Sequence, residues 1–304
     1  MPNPRLLDKR RKSIRNIRKI TRTMELIATA RFKKAMDRAS AATAFTNRMT
    51  KLVQDLLASG LEVHHPLLEK RDTVRNVTLL VLTANRGLCG GFNGNLQRAG
   101  FHRWLELKQT IPSCKLEVVG KRGIAAFKFR GIAADKTYTH FEDKPSFEEV
   151  DVIASRYLDE YIGGKLDRLD VVYTKFQSVA RQQVVIETLL PLTAIGAEAA
   201  AASPATSGTA AAETGGRKAI YEFLPSPESI LEEVVPASFK IKMFKCFLDS
   251  AVSEQIARMV AMKAATENAD KIIKHLTMTY NRARQSQITG EIMEVLGGVE
   301  ALKG

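Results

Sequence analysis

The 304-residue sequence predicts a mixed α/β fold: two long terminal helices paired as an antiparallel coiled coil, with a central open α/β domain between them. Three observations carry this expectation. Residues 5–59 contain neither proline nor glycine, and residues 237–289 are equally free of both. The stretch between them alternates strand-like and helix-like segments, the signature of a sheet with helical crossovers.

The first helix is expected within residues 1–60, where Ile17, Ile20, Met24 and Ile27 recur at helical spacing. The last is expected within 236–304, entered just after Pro236. Its seam is Met262, Ala265, Ala269, Ile272, Leu276, Thr279, Ala283 and Ser286, a heptad that turns small and polar in its second half. At about 1.5 Å per residue each uninterrupted stretch could reach roughly 80 Å. Several shorter helices in a bundle are the alternative. The pair is favoured because one helix lies at each end of the chain and the seams are compatible. Ala265, Ala269 and Ala283 would also let a partner backbone approach closely.

Residues 75–193 read as the central domain. Val77–Thr83 is a buried strand, followed by a glycine-rich turn and a helix from Gly94 to Lys108. Leu116–Val119 is the second strand, and a short helix opens at Lys121 and ends near Gly131. Lys136–Phe141 is a weak strand, and the helix from Ser146 to Tyr161 is capped by the Ser146 hydroxyl. Leu169–Thr174 and Gln182–Leu190 complete an open, Rossmann-like sheet. Residues 194–217 are dominated by Ala, Gly, Ser and Thr and cannot offset chain-ordering entropy, so they read as a flexible insertion. Residues 218–235 form a short connecting segment around Tyr221, Glu222 and Phe223, with Pro225 and Pro227 marking a turn.

Composition excludes several classes. Hydrophobic residues make up 45% and charged residues 26%, which is ordinary globular usage. No apolar run approaches the ~18 residues needed to cross a bilayer. Cys89, Cys114 and Cys246 lie far apart without a CxxC pairing, against a disulfide framework or zinc site and in favour of a reducing compartment. His64 and His65 are adjacent, and adjacent side chains point apart, so no metal is expected. The net charge of +13 is uneven: residues 1–38 hold thirteen lysines and arginines against Asp8, Glu25 and Asp37. Such a stripe wants an acidic partner, whether nucleic acid, anionic lipid or acidic protein.

No catalytic constellation emerges. Arg86–Gly94 (RGLCGGFNG) lies between a strand and a helix, where phosphate loops occur, but matches neither GxGxxG nor GxxxxGK[ST]. Val119–Gly123 (VGKRG) is only superficially similar, and tight backbone packing is the favoured reading of both. Cys89 lacks a partner that would make a nucleophile of it. Asp167 and Asp170 read as a turn before a strand, and Glu232 and Glu233 as acidic residues suited to a helix start. On Tyr280–Glu291, Arg284 and Gln285 are either a solvated helix face or directional donors to a partner. A basic helical protein binding nucleic acid and a dinucleotide enzyme using the glycine loop stay open on residues alone. Few aromatics interleave with the basic run, and no RNA- or DNA-binding signature appears.

Ile14–Lys34 (IRNIRKITRTMELIATARFKK), Ser253–Ile292 and the middle segments RGLCGG at 86–91 and LLPL at 189–192 resemble the gamma-subunit family of F-type ATP synthases across essentially the whole chain. The resemblance implies a non-catalytic rotor shaft. It would couple ion-driven rotation of the membrane c-ring to conformational cycling of the catalytic beta subunits. It implies alpha, beta and epsilon subunits and the c-ring as partners, with no nucleic acid, cofactor, metal or membrane insertion. The location implied is peripheral, on the cytoplasmic face of an energy-transducing membrane. By matching position it implies that Met24, Arg284, Gln285 and Thr289 contact the alpha and beta stator. Tyr221, Glu222 and Phe223 would rest on the c-ring, and Val295–Leu302 would sit in an apolar sleeve. The chain carries Leu224 where the family often has an acidic residue. The insertion lacks the cysteine pair of the plastid redox switch, so no thiol regulation of that kind is expected.

Overall fold

A computed structural model describes residues 3–58, 66–67, 71, 73–141, 144–192 and 227–303. The expected insertion at 194–217, the pair His64 and His65, and Tyr221, Glu222 and Phe223 lie outside these residues. Helix α1 spans Pro4–Ala58 and helix α5 spans Pro227–Lys303. Between them come β1 (Asn76–Leu82), α2 (Phe92–Thr110), β2 (Ser113–Val119), α3 (Lys121–Phe129), β3 (Lys136–Tyr138), α4 (Phe147–Ile162), β4 (Arg168–Phe176) and β5 (Gln182–Leu190). The chain divides into two compact units, one of Met1–Arg31, Leu88–Gly90 and Gln255–Gly304, the other of Phe32–Gly87 and Gly91–Glu254.

The second unit holds a sheet of order β3-β2-β1-β4-β5. β1 pairs in parallel with β2 and β4, and β2 in parallel with β3, whereas β5 runs antiparallel to β4. A tight turn forces that reversal: Gln177 and Ser178 donate their N–H groups to the Arg181 carbonyl, and Arg181 donates back to Ser178. The central position of β1 explains its apolar run, interrupted only by Thr78, since every residue from Val77 to Leu82 is buried. Against one face lie α4 and the early part of α5. There Tyr157 and Tyr161 cluster with Leu80, Leu169 and Val171, joined by Val235, Phe239 and Met243. On α2, a Cβ at Gly100 would stand 3.1 Å from the Val81 methyls and 3.4 Å from the Phe127 ring of α3. That glycine lets α2 sit directly on β1.

Local chemistry sets the helix ends. Asn3 accepts the Arg5 N–H at 2.9 Å through its side chain, and Pro4 occupies the first helical position, where a missing N–H costs nothing. At α4 the expected Ser146 cap is a full capping box: the Ser146 hydroxyl accepts from the Glu149 N–H, and the Glu149 carboxylate accepts from the Ser146 N–H.

Two expectations need correction. Helix α5 does not wait for Pro236 but starts at Pro227 and carries Pro236 inside it. Val235 and Phe239 flank that proline and are buried in the core, so packing offsets the missing helical hydrogen bond. The coiled-coil seams also differ. On α5, Met262, Ala269, Leu276 and Ala283 are buried as expected, but the alternate position is Thr266, and Ile272 is 43% exposed. On α1, Ile17, Ile20, Met24 and Ile27 are exposed, while Thr21 and Ala28 are buried. Small residues win because they bring the two backbones close together, and the larger apolar groups are left beside the seam.

Candidate functional site

In open α/β sheets the crevice at the carboxyl ends of the strands is the usual ligand site, because the helix that follows offers free N–H groups there. Here those donors are occupied. In the first turn of α3, Lys121 N–H donates to Asn85 Oδ1 at 3.0 Å and Arg122 N–H to the Ala84 carbonyl at 3.2 Å. Gly123 N–H donates to Thr83 Oγ1 at 2.9 Å, and Ile124 N–H to the Gly120 carbonyl at 3.1 Å. Gly120 has φ +93, and a Cβ there would lie 2.2 Å from the Thr83 carbonyl oxygen. The VGKRG segment is thus welded to the end of β1 by backbone contact. A cavity of about 160 Å³ remains, lined by residues including Leu82, Asn85, Lys121, Phe141, Phe247 and Glu254. It falls short of the ~300–1,000 Å³ of small-molecule clefts.

The RGLCGG loop is likewise given to packing. The Asn93 side chain accepts the Ala84 N–H at 2.9 Å and donates to the Arg86 carbonyl at 3.3 Å, closing the loop on itself. Leu88 and Gly90 have positive φ, and a Cβ at Gly90 would meet the Ala261 Cβ at 3.9 Å. Cys89 is buried, and burial pushes the Cys114 and Cys246 thiols up, away from thiolate. Among the described residues no cluster of His, Cys, Asp or Glu is arranged to hold a metal ion.

The buried carboxylates are structural anchors. Asp167 accepts the Arg75 and Asn76 N–H groups and pairs with Arg71. Asp170 accepts from Arg103, Arg168 and the Thr188 hydroxyl. Glu117 takes Arg156 and the hydroxyls of Tyr138 and Tyr157. The sequence reading of Asp167 and Asp170 as a turn missed this clamping role. The alternation Arg168-x-Asp170 on one strand face was the available signal.

The remaining candidate is the coil of the first unit. Arg11 stacks its guanidinium 4.7 Å over the Tyr280 ring, Arg18 pairs with Asp270, and the Thr266 hydroxyl lies 2.8 Å from that of Thr21. As residue numbers rise on α1 they fall on α5, so the pairing is antiparallel. Arg10, Lys12, Arg15, Lys19 and Arg22 all face solvent. At 3.6 residues per turn, Ile17, Ile20, Met24 and Ile27 fall on one flank of the Thr21–Ala28 line. The surface of the coil is therefore lopsided: four large apolar groups line one flank, whereas Lys12, Arg15, Lys19 and Arg22 lie on the other, with Leu26 exposed among them.

Arg284, Gln285 and Thr289 are also exposed on α5, and Thr289 returns its hydroxyl to the Gln285 carbonyl at 2.9 Å. They do not gather with Met24. Thr266 marks the level of Thr21, so Arg284 lies about 27 Å farther along the axis at ~1.5 Å per residue. Beyond that level α1 has ended, and Ile292, Val295, Leu296, Val299 and Leu302 are exposed on α5.

A family model described as ATP synthase matches residues 3–302. The chain is 61% identical over 304 residues to the ATP synthase gamma chain of Rhodopirellula baltica, with 100% of both chains covered. It is 39% identical over 302 residues to that of Leptospira biflexa, covering 99% of this chain and 100% of the other. Among solved structures, a chain of the Euglena gracilis mitochondrial ATP synthase OSCP/F1/c-ring assembly in rotational state 3 shares the fold. Its TM-score is 0.63 at 18% identity, covering 98% of this chain and 94% of that one. A chain of the Euglena rotor in rotational state 1 gives a TM-score of 0.60 at 19% identity, covering 94% and 98%. With the family model matched from end to end and relatives this similar over their full lengths, the chain belongs to the ATP synthase gamma-chain family.

Proposed function

We propose that this chain is the non-catalytic rotor shaft of an F-type ATP synthase, coupling c-ring rotation to conformational cycling of the catalytic beta subunits. The observation that carries the reading is the lopsided coil, with Ile17, Ile20, Met24 and Ile27 exposed on one flank and Lys12, Arg15, Lys19 and Arg22 on the other. A shaft surrounded by chemically identical subunits can treat them differently only by turning a different face to each. Contact that differs between orientations shifts each subunit toward a different nucleotide state, and equal contact would shift nothing. Linkage makes this reciprocal, so turnover of nucleotide drives rotation as rotation drives nucleotide release.

In this reading the alpha and beta subunits grip Met24, Arg284, Gln285 and Thr289, and the apolar tip slides in a sleeve through non-directional contacts. The Tyr221–Phe223 segment meets the c-ring, and epsilon binds alongside. The complex is peripheral on the cytoplasmic face of the membrane; among the described residues no helix is long and apolar enough to cross one. Isolation of the native complex through a tag on this chain should recover alpha, beta, epsilon and c subunits. Arg284→Ala with Gln285→Ala should lower ATP synthesis severalfold while leaving the melting of the purified chain unchanged. Unaltered synthesis in the double variant would remove both residues from the stator contact, and an isolated chain that hydrolyses ATP would overturn the shaft reading.

A further inference from the structure

We infer that the helical layer formed by α2 and α3 is a docking face for an anionic phospholipid surface. The two helical layers of the central sheet carry opposite charge. On α2 and α3, Arg98, Lys108, Lys121, Arg122 and Lys128 are exposed, as is Arg130 just past the end of α3, and the acid on these helices is Glu106, which pairs with Arg103. On α4 the balance reverses, with Glu148, Glu149, Asp151, Asp159 and Glu160 against Arg156, which turns inward to Glu117. The basic layer is thus a local feature rather than a reflection of the chain's overall charge.

An apolar residue projects at one end of this field. Phe127 is buried at 1% exposure, yet Phe129, the last residue of α3, is 93% exposed. Lys128 and Arg130 flank it, and Arg130 is held in place with its guanidinium 4.6 Å over the Phe101 ring of α2. Gly131 then turns the chain away at φ +74. A projecting aromatic flanked by two cations, at the edge of a basic helical layer, suits the headgroup region of an acidic membrane. The ring enters the interface while the cations meet phosphates, and the deformable surface needs no fitted pocket. A folded acidic protein would have to supply one. The inference rests on this domain's own surface and not on the coupling role.

The chain's single tryptophan makes the test local. Trp104 lies on α2 with the Lys108 ammonium 4.7 Å over its ring. The full-length chain is mixed with vesicles of phosphatidylcholine, with or without phosphatidylglycerol, and followed by flotation and by Trp104 emission. Binding and a shift of Trp104 to shorter wavelength are expected with the acidic vesicles only. Phe129→Ser should weaken binding about tenfold, as expected for a phenyl group withdrawn from an apolar environment. Lys128→Gln with Arg130→Gln should weaken it at least as much. Arg10→Gln with Lys12→Gln, in the basic stripe of α1, should leave the Trp104 shift in place. Flotation with Trp104 silent would assign binding to α1 and overturn the inference, as would binding by the Phe129 and Lys128/Arg130 variants as tight as the parent's. Soluble polyglutamate that reproduces the shift and competes with vesicles would overturn it in favour of an acidic protein.

Discussion

Burial acts on two carboxyl groups of the central unit with opposite results, and the donors around each decide the sign. At Glu117 burial pushes the carboxyl up, but hydrogen bonds from Arg156, Tyr157 and Tyr138 outweigh it and hold the group below its ordinary 4.5. Its contribution to stability is therefore present at neutral pH and is lost as pH falls through the range below 4.5. Asp249 on α5 is the reverse. Burial raises its carboxyl to about 6, against the pull of the Lys245 and Lys175 ammoniums and the Phe176 N–H, with Glu187 adding to the rise. The folded state keeps this proton between 3.8 and about 6 while the unfolded chain has lost it. Stability from Asp249 therefore declines as pH climbs through that interval and stays low above it. Asp249→Asn removes the penalty and keeps an acceptor for the Phe176 N–H. The variant should gain roughly 2 kcal/mol at neutral pH and much less near pH ~4. Denaturant midpoints at the two pH values check this, and a gain that does not change with pH would refute the assignment.

At the scale of elements, two glycines of the central unit make opposite demands. Gly120 joins β2 to α3 at φ +93 with the Thr83 carbonyl where a Cβ would go. Gly94 lies inside α2 with nothing within 4 Å of a Cβ. Gly120→Ala should destabilise the chain by more than about 2 kcal/mol, since strain and overlap act together. Gly94→Ala should stabilise it by roughly 0.5–1 kcal/mol by restricting the unfolded chain. Thermal melting of both variants tests the pair; a Gly120→Ala protein as stable as the parent would show that the junction can relax. The elements themselves were legible in the sequence wherever a periodicity had room to declare itself. The strand VTLLVLT, the Ser146 cap and the first proline-free stretch mark real boundaries to within a few residues, whereas α5 begins well before residue 237 and runs on well past residue 289. Two things were not legible. Pro236 reads as a stop because the burial of Val235 and Phe239, which outweighs it, is tertiary. The seam on α1 reads as Ile17, Ile20, Met24 and Ile27 because hydropathy favours large groups. The actual interface prefers Thr21 and Ala28, which contribute closeness rather than area. Chemistry at the strand ends was partly legible: the absence of a phosphate motif was plain, but the consumption of the α3 donors by Thr83, Ala84 and Asn85 is visible only in three dimensions.

For the whole molecule, the misplaced seam matters for function. A coil held together by its largest apolar side chains would have spent them internally and presented a uniformly charged exterior. This one buries only Thr21 and Ala28 from that stretch of α1, together with Met262, Thr266, Ala269 and Leu276 of α5, and leaves Ile17, Ile20, Met24 and Ile27 outside. Under the proposed function, folding and partner contact fall to different residues of the same helix, and mutation can separate them. Ile20→Asp with Met24→Asp changes exposed positions, where substitutions typically move stability by about 0.5 kcal/mol or less. The purified chain should melt as the parent does. In the assembled enzyme the same pair places carboxylates where the proposed shaft presents its apolar flank, so ATP-driven ion pumping should fall severalfold relative to ATP hydrolysis. Thr21→Asp is the complementary case: it buries a charge in the seam and should lower the melting temperature of the chain itself. If the double variant melts early, the stripe belongs to the coil's own packing. If it pumps and hydrolyses as the parent does, the apolar flank is not what the surrounding subunits sense.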